Sequence, residues 1–200
     1  MSSSRPATAV SGKPPPTAFP SAQRSGVTPD LCALGKAVGG GFPLTAVAGR
    51  EELMAHFDQS RVGREQFVPQ VGTLSGNPIA TAAGLATVRI LKRPGTYERM
   101  HALGRQLKQA LQSICDAAGI PARVVGEGVL FEIYFTDEDI TDYRSTLKAD
   151  KAKLTRFVAL LRERGIFRGA SKFYLSIVHD ERDVKETIQA FESAVAALVG

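Results

Sequence analysis

A lysine followed by three consecutive glycines constrains this chain more than any other feature. The stretch is residues 29–50, PDLCALGKAVGGGFPLTAVAGR, with Lys36 between an apolar run and Gly39, Gly40 and Gly41. Glycine opens backbone conformations closed to other residues and lets other groups come close to the main chain. The triplet therefore ends any regular element before it and leaves room beside the lysine. The apolar run Leu31–Leu34, ending at Gly35, predicts a brief strand running into a loop that carries Lys36. Residues 44–49, with Thr45 and Val47, predict a second strand, and residues 51–57 a short helix.

A second glycine-flanked loop follows at residues 70–78, QVGTLSGNP. It places two hydroxyls, Thr73 and Ser75, between Gly72 and Gly76. Asn77 is then a good N-cap and Pro78 takes the favoured first helical position. The helix is expected over residues 78–92, stopped by Pro94, with a small face (Ala80, Ala82, Ala83, Gly84 and Ala86) suited to tight packing. Hydroxyls and mobile N–H groups ahead of a helix suit an anion, although a plain capped turn is the commoner use of the pattern. The phosphate-binding P-loop is excluded, because it needs Ser or Thr after its lysine and Ala37 follows Lys36. A lysine becomes a good nucleophile near neutral pH only when desolvation or nearby positive charge lowers its pKa. By composition alone Lys36 reads as a solvated loop lysine.

Downstream, apolar periodicity alternates between helix and strand. Thr96 is the expected cap of a helix in which Met100, Leu103, Leu107, Leu111 and Ile114 recur at spacings of three and four, ended by Gly119 and Pro121. Strands are expected at residues 123–125 and 129–135, the latter with Phe131, Ile133 and Phe135 on one face. A helix over residues 150–164 turns Leu154, Phe157, Val158 and Leu161 inward. Ile166, Phe167 and residues 173–178 are further strand candidates. Asp180 caps a last helix with Val184, Ile188, Phe191, Val195 and Leu198 on its buried face. Interleaved strands and helices predict a compact α/β unit. The division expected is a Ser/Pro-rich disordered tail over residues 1–20, a segment over 21–93 and a domain over 94–200. Lys13 and the three prolines after it favour polyproline geometry in the tail and exclude the amphipathic helix of a targeting peptide.

Charge and cysteine content exclude several classes. The net charge of +5 is concentrated early: Arg5, Lys13 and Arg24 have no acid among them, and no basic stripe for nucleic acid follows. No apolar run reaches the ~20 residues of a membrane span. Cys32 and Cys115 have neither metal-site spacing nor the number for a disulfide framework, which fits a reducing, cytoplasmic setting. His56, His101 and His179 are scattered and read as structural or exposed.

The two loops, PDLCALGKAVGGGFPLTAVAGR and GTLSGNPIATAAG, resemble the class III aminotransferases of the fold-type-I pyridoxal-phosphate enzymes. The GTLSGNP form is most similar to the branch containing glutamate-1-semialdehyde aminomutase. The resemblance runs from Ser21 to the C-terminus and takes in GEGVLFEIYFTD and FYLSIVH. It implies an α/β fold: the end of the family's large domain over residues 21–93, then the complete small C-terminal α/β domain. It implies that Lys36 forms a Schiff base with pyridoxal 5'-phosphate and then shuttles a proton at the substrate carbon, which requires a neutral amine. Gly72 and Thr73 match the group that binds the cofactor phosphate of the neighbouring subunit, in a homodimer with shared active sites. An amino donor and a keto acid or aldehyde acceptor are the implied substrates.

The resemblance covers only the C-terminal part of a family member. The earlier part of the family supplies a phosphate cup, an aromatic stacked on the cofactor ring and an aspartate that keeps its nitrogen protonated. No acid stands ahead of Asp30 to match that aspartate. A truncated transaminase is therefore expected, with an aminomutase-like isomerase or an inactive α/β interaction module as alternatives. Residues 165–173, GIFRGASKF, are shorter than in the aminomutase branch and lack its glutamate, which favours the transaminase. Arg168 in this segment reads as a surface arginine ahead of a carboxylate ligand.

Overall fold

The computed structural model describes residues 26–169 and 172–199. The expected disorder of residues 1–20 lies outside them. Contacts divide the chain into two compact units, one ending at Lys92 and one beginning at Arg93.

In the first unit, β1 (Leu31–Leu34) pairs antiparallel with β2 (Ala46–Gly49), Leu31 opposite Gly49 and Leu34 opposite Ala46. The connection holds one turn of 3-10 helix, Lys36–Gly39, where the glycines predicted only a loop. The short helix expected next splits into α1 (Glu51–Met54) and a 3-10 turn, Ala55–Phe57. A further helix, α2 (Gln59–Val62), has no apolar periodicity to announce it and is capped by Asp58, which accepts from the Ser60 N–H. His56 is structural: its Nδ1 lies 2.8 Å from the Gln66 carbonyl oxygen. α3 (Pro78–Leu91) starts where expected, because Asn77 Oδ1 accepts from the Ile79 and Ala80 N–H groups, each at 3.0 Å.

The small face of α3 lies directly on the lysine turn. A Cβ on Gly84 would stand 2.2 Å from Leu44 Cδ2 and 3.2 Å from the Val38 carbonyl oxygen. Gly40 meets the same helix: its φ is +56°, and a Cβ there would stand 2.5 Å from Thr87 Oγ1. No other residue type satisfies both the backbone angle and the contact at position 40. The first unit nevertheless leaves Leu31, Phe42, Val71, Leu74, Ile79 and Leu85 substantially exposed.

The second unit holds the main core, whose buried members all lie from Leu103 onward. Its sheet is antiparallel in the order β3 (Arg123–Glu127), β4 (Leu130–Tyr134), β5 (Phe173–Tyr174). Helices α4 (Thr96–Ala117), α6 (Lys151–Glu163) and α7 (Glu181–Val199) supply the core residues that pack on its apolar face. The alternation expected in β4 holds, with Phe131 and Ile133 buried and Leu130, Glu132 and Tyr134 more exposed. Phe131 stacks on Phe173 at 4.8 Å between centroids, and Phe173 meets Phe191 edge-on at 5.5 Å. Gln112 ties α4 to the sheet by accepting from the Val124 N–H and donating to the Ala122 carbonyl, at 2.9 and 3.1 Å.

Several local expectations are corrected. The N-cap of α4 is Gly95, not Thr96. A short helix, α5 (Tyr143–Thr146), is set by a capping box between Asp142 and Ser145. Ile166 and Phe167 form no strand, and Phe167 is 86% exposed. Of residues 173–178 only Phe173–Tyr174 is strand. Beyond Leu175 the chain turns, because His179 takes over the hydrogen bonding: its Nδ1 accepts from the Ser176 N–H at 2.9 Å and its own N–H donates back to the Ser176 carbonyl at 3.1 Å.

Candidate active site

Lys36 opens the 3-10 turn with φ of +53°, the one non-glycine residue with a positive φ among the described residues. For a residue with a Cβ this region costs about 1–2 kcal/mol. The turn is held by bonds from the Val38 N–H to the Gly35 carbonyl at 3.4 Å and from the Gly40 N–H to the Ala37 carbonyl at 3.2 Å. Packing against α3 through Gly40 and Gly84 then keeps it in place. Lys36 itself is exposed, so its amine is open to a ligand.

Gly72 and Thr73 lie on a cavity of about 340 Å³ lined by residues 43–45, Gln70 and residues 72–76. Two overlapping turns shape it: Ser75 N–H to the Gly72 carbonyl and Asn77 N–H to the Leu74 carbonyl, both at 3.1 Å. The chain folds back so tightly that a Cβ on Gly72 would stand 2.8 Å from Ser75 Oγ. Thr45 connects this cavity to the lysine turn. It lines the cavity, and its Cγ2 lies 3.6 Å from where a Cβ on Gly35 would be. The lining contains no Asp, Glu, Lys or Arg. Neutral hydroxyl, amide and backbone N–H donors in a concave loop suit an oxyanion.

The structure thus gathers Gly72 and Thr73 into one concavity and sets the neighbour of Lys36 against its lining. Thr45 and Gln70 were missed as cavity residues. Their only signal in the sequence was a polar side chain inside otherwise apolar runs, PLTAVAG and VPQVG.

Arg168 overturns its surface reading: it is only 4% exposed, in the second unit. Its guanidinium carbon sits 4.8 Å from the centroid of the Phe173 ring. Burial lowers its pKa, and the charge of Glu132, with a smaller contribution from Tyr134, works against that. Tyr134 in turn is pushed up to about 12 by burial and by its hydrogen bond to Glu132. Glu132, Tyr134 and Arg168 therefore form a charge-balanced group beside the sheet. Among the described residues no His, Cys, Asp and Glu cluster could hold a metal ion, and no helix is long and apolar enough to cross a membrane.

The architecture is shared with solved transaminases. An ω-transaminase from Sphaerobacter thermophilus superposes with a TM-score of 0.82 at 36% identity, over 90% of this chain and 41% of that one. A transaminase solved with PLP bound gives a TM-score of 0.75 at 28% identity, over 88% and 40% of the two chains. The fold is thus part of that of the fold-type-I transaminases. The family model of the class-III aminotransferases matches residues 17–195, and the chain belongs to that family. A curated relative, glutamate-1-semialdehyde 2,1-aminomutase of Thermomicrobium roseum, is 36% identical over 177 residues, 87% of this chain and 40% of the relative. The chain spans about two-fifths of the length of the curated relatives it matches.

Proposed function

We propose that this chain is the lysine-bearing part of a class III, pyridoxal-phosphate-dependent aminotransferase, acting on a small amino donor and a keto acid or aldehyde acceptor. The observation that carries the reading is that one unit presents both an exposed lysine on a packed turn and a hydroxyl-lined cavity. The residues present fit the cofactor chemically: neutral donors suit its phosphate, and Lys36 supplies an accessible primary amine of the type that condenses with an aldehyde. Thr73 and the Gly72 backbone would hold the phosphate, and Lys36 of the partner subunit would hold the aldehyde end of the same cofactor. When bound, the cofactor supplies an electron sink for the substrate carbon. With the cofactor in place, Lys36 Nζ would be the base that moves the proton at the carbon bearing the amino group.

On this reading the unit ending at Lys92 is the end of the large domain and the unit from Arg93 is the small domain. The assembly is a homodimer in which Gly72 and Thr73 serve the partner's Lys36. Exposed Val71, Leu74 and Ile79, in and beside the cavity loop, support a protein surface covering that region. The two free cysteines support a reducing, cytoplasmic setting. The relative's name keeps an aminomutase as the second reading, separated by whether a single substrate is isomerised without an acceptor.

The test is borohydride trapping. The full chain is incubated with pyridoxal 5'-phosphate, reduced and digested, and the modified peptide is located by mass spectrometry. The adduct is expected on the peptide containing Lys36 and is lost in Lys36→Ala. Equal labelling of surface lysines in both proteins would refute the proposal.

A further inference from the structure

Three hydroxyls and one amide meet in the first unit's cavity without an internal use. Thr45, Thr73, Ser75 and Gln70 all line it, and their side chains make no hydrogen bond among the described residues. Other hydroxyls of the same unit are spent within the chain. Ser60 Oγ donates to Asp58 at 2.7 Å, Thr81 to the Asn77 carbonyl at 2.8 Å and Thr87 to the Ala83 carbonyl at 2.9 Å. Uncommitted polar groups that converge on a concavity are what a polar ligand engages. Charge narrows the ligand further. The lining offers a cation no counter-charge, whereas a dianion meets donors and no repelling carboxylate.

The family motif accounts for Gly72 and Thr73 only. We propose that Gln70 and Thr45 join Thr73 in binding the phosphate monoester of the cofactor, so that the cavity selects the phosphorylated over the unphosphorylated aldehyde through neutral donors alone. The proposal rests on the pyridoxal-phosphate reading above.

The test titrates the full chain by calorimetry with three probes: pyridoxal 5'-phosphate, pyridoxal and inorganic phosphate. Gln70→Ala and Thr45→Val are each expected to weaken the two phosphate-bearing probes about tenfold, the size of one hydrogen bond to a charged group, and to leave pyridoxal unchanged. Gln70→Glu keeps the size of an exposed side chain but sets a carboxylate against the dianion, and weakens both phosphate probes further. Thermal melts check that each variant is folded. Equal losses for pyridoxal and its phosphate overturn the proposal, as does failure of the wild type to bind inorganic phosphate. Phosphate binding that depends on Gln70, with no aldehyde captured by Lys36, would sustain this inference and defeat the aminotransferase reading. Capture of both aldehydes with equal affinity would do the reverse.

Discussion

Replacing Gly104 by alanine puts two physical effects in direct opposition. Gly104 is a buried residue inside α4, so helix propensity alone favours alanine by about 1 kcal/mol. Packing says the opposite. A Cβ at this position would stand 1.6 Å from the carbonyl oxygen of Gly128 and 2.2 Å from its carbonyl carbon. A C···O contact needs about 3.3 Å or more, so the β3–β4 turn would have to retreat by nearly 2 Å. Neither partner is a flexible side chain that can rotate away. The retreat would also strain the bond from Lys108 Nζ to the Gly126 carbonyl, 2.8 Å long, and loosen the register that pairs Glu127 with Leu130. Overpacking of a fixed backbone costs about 1–3 kcal/mol, and the upper end applies here. The net expectation is a loss of about 2 kcal/mol, near 10 °C in Tm for a unit of this size. Urea unfolding followed by far-UV circular dichroism measures it, with an unchanged m-value showing that stability and not compactness has moved. A variant as stable as the wild type, or more stable by the helix-propensity increment, would refute the packing argument.

Three further outcomes follow from the structure. Lys36→Gly removes the strain of a positive φ that Lys36→Ala retains, so the glycine variant should be about 1 kcal/mol more stable than the alanine variant; amide exchange at Val38 and Gly40 reads the difference, and equal protection would count against strain at this turn. Cys115 is fully buried, and burial raises its thiol pKa from 9.0 to about 11. A pKa raised on folding stabilises the protein fully below the unfolded value, so this contribution, about 3 kcal/mol from two pKa units, is lost as pH rises from 9 towards 11. The same burial leaves Cys32 as the thiol that reacts with a disulfide reagent at pH 8, and equally rapid labelling of both cysteines would contradict the core placement.

Much of the local structure was legible because it is decided within one or two turns of chain. Asn77 and Asp180 were readable as caps, and their amide and carboxylate oxygens do accept the first free N–H groups of α3 and α7. The period of two in β4 was readable because one face alone meets the core. The resemblance to the family was legible for a related reason: each loop motif is contiguous in the sequence. The errors fall where long-range contacts outvote local signals. Phe173 to Val178 has strand composition, yet only its first two residues find a partner on β4 before His179 closes a turn. Ile166 and Phe167 are apolar but meet no neighbouring strand.

Caps, glycines and apolar periodicity act over short distances, so the sequence alone set the longer helices α3, α4, α6 and α7, the strands β1 to β4 and the two loops, while the short helices α2 and α5 went unannounced. Tertiary structure decided what those residues face. It buried Arg168 over Phe173 with Glu132 close enough to oppose the cost of burial, which no pattern in GIFRGASKF foretold. It brought Thr45 and Gln70 to the same cavity as Thr73, although 25 residues separate Thr45 from Gln70. It also made glycine a necessity at position 104, where the constraint comes from a turn folded back from Gly128. The physical reason is common to all three: a side chain's burial and partners depend on groups distant in sequence, which only packing brings within contact.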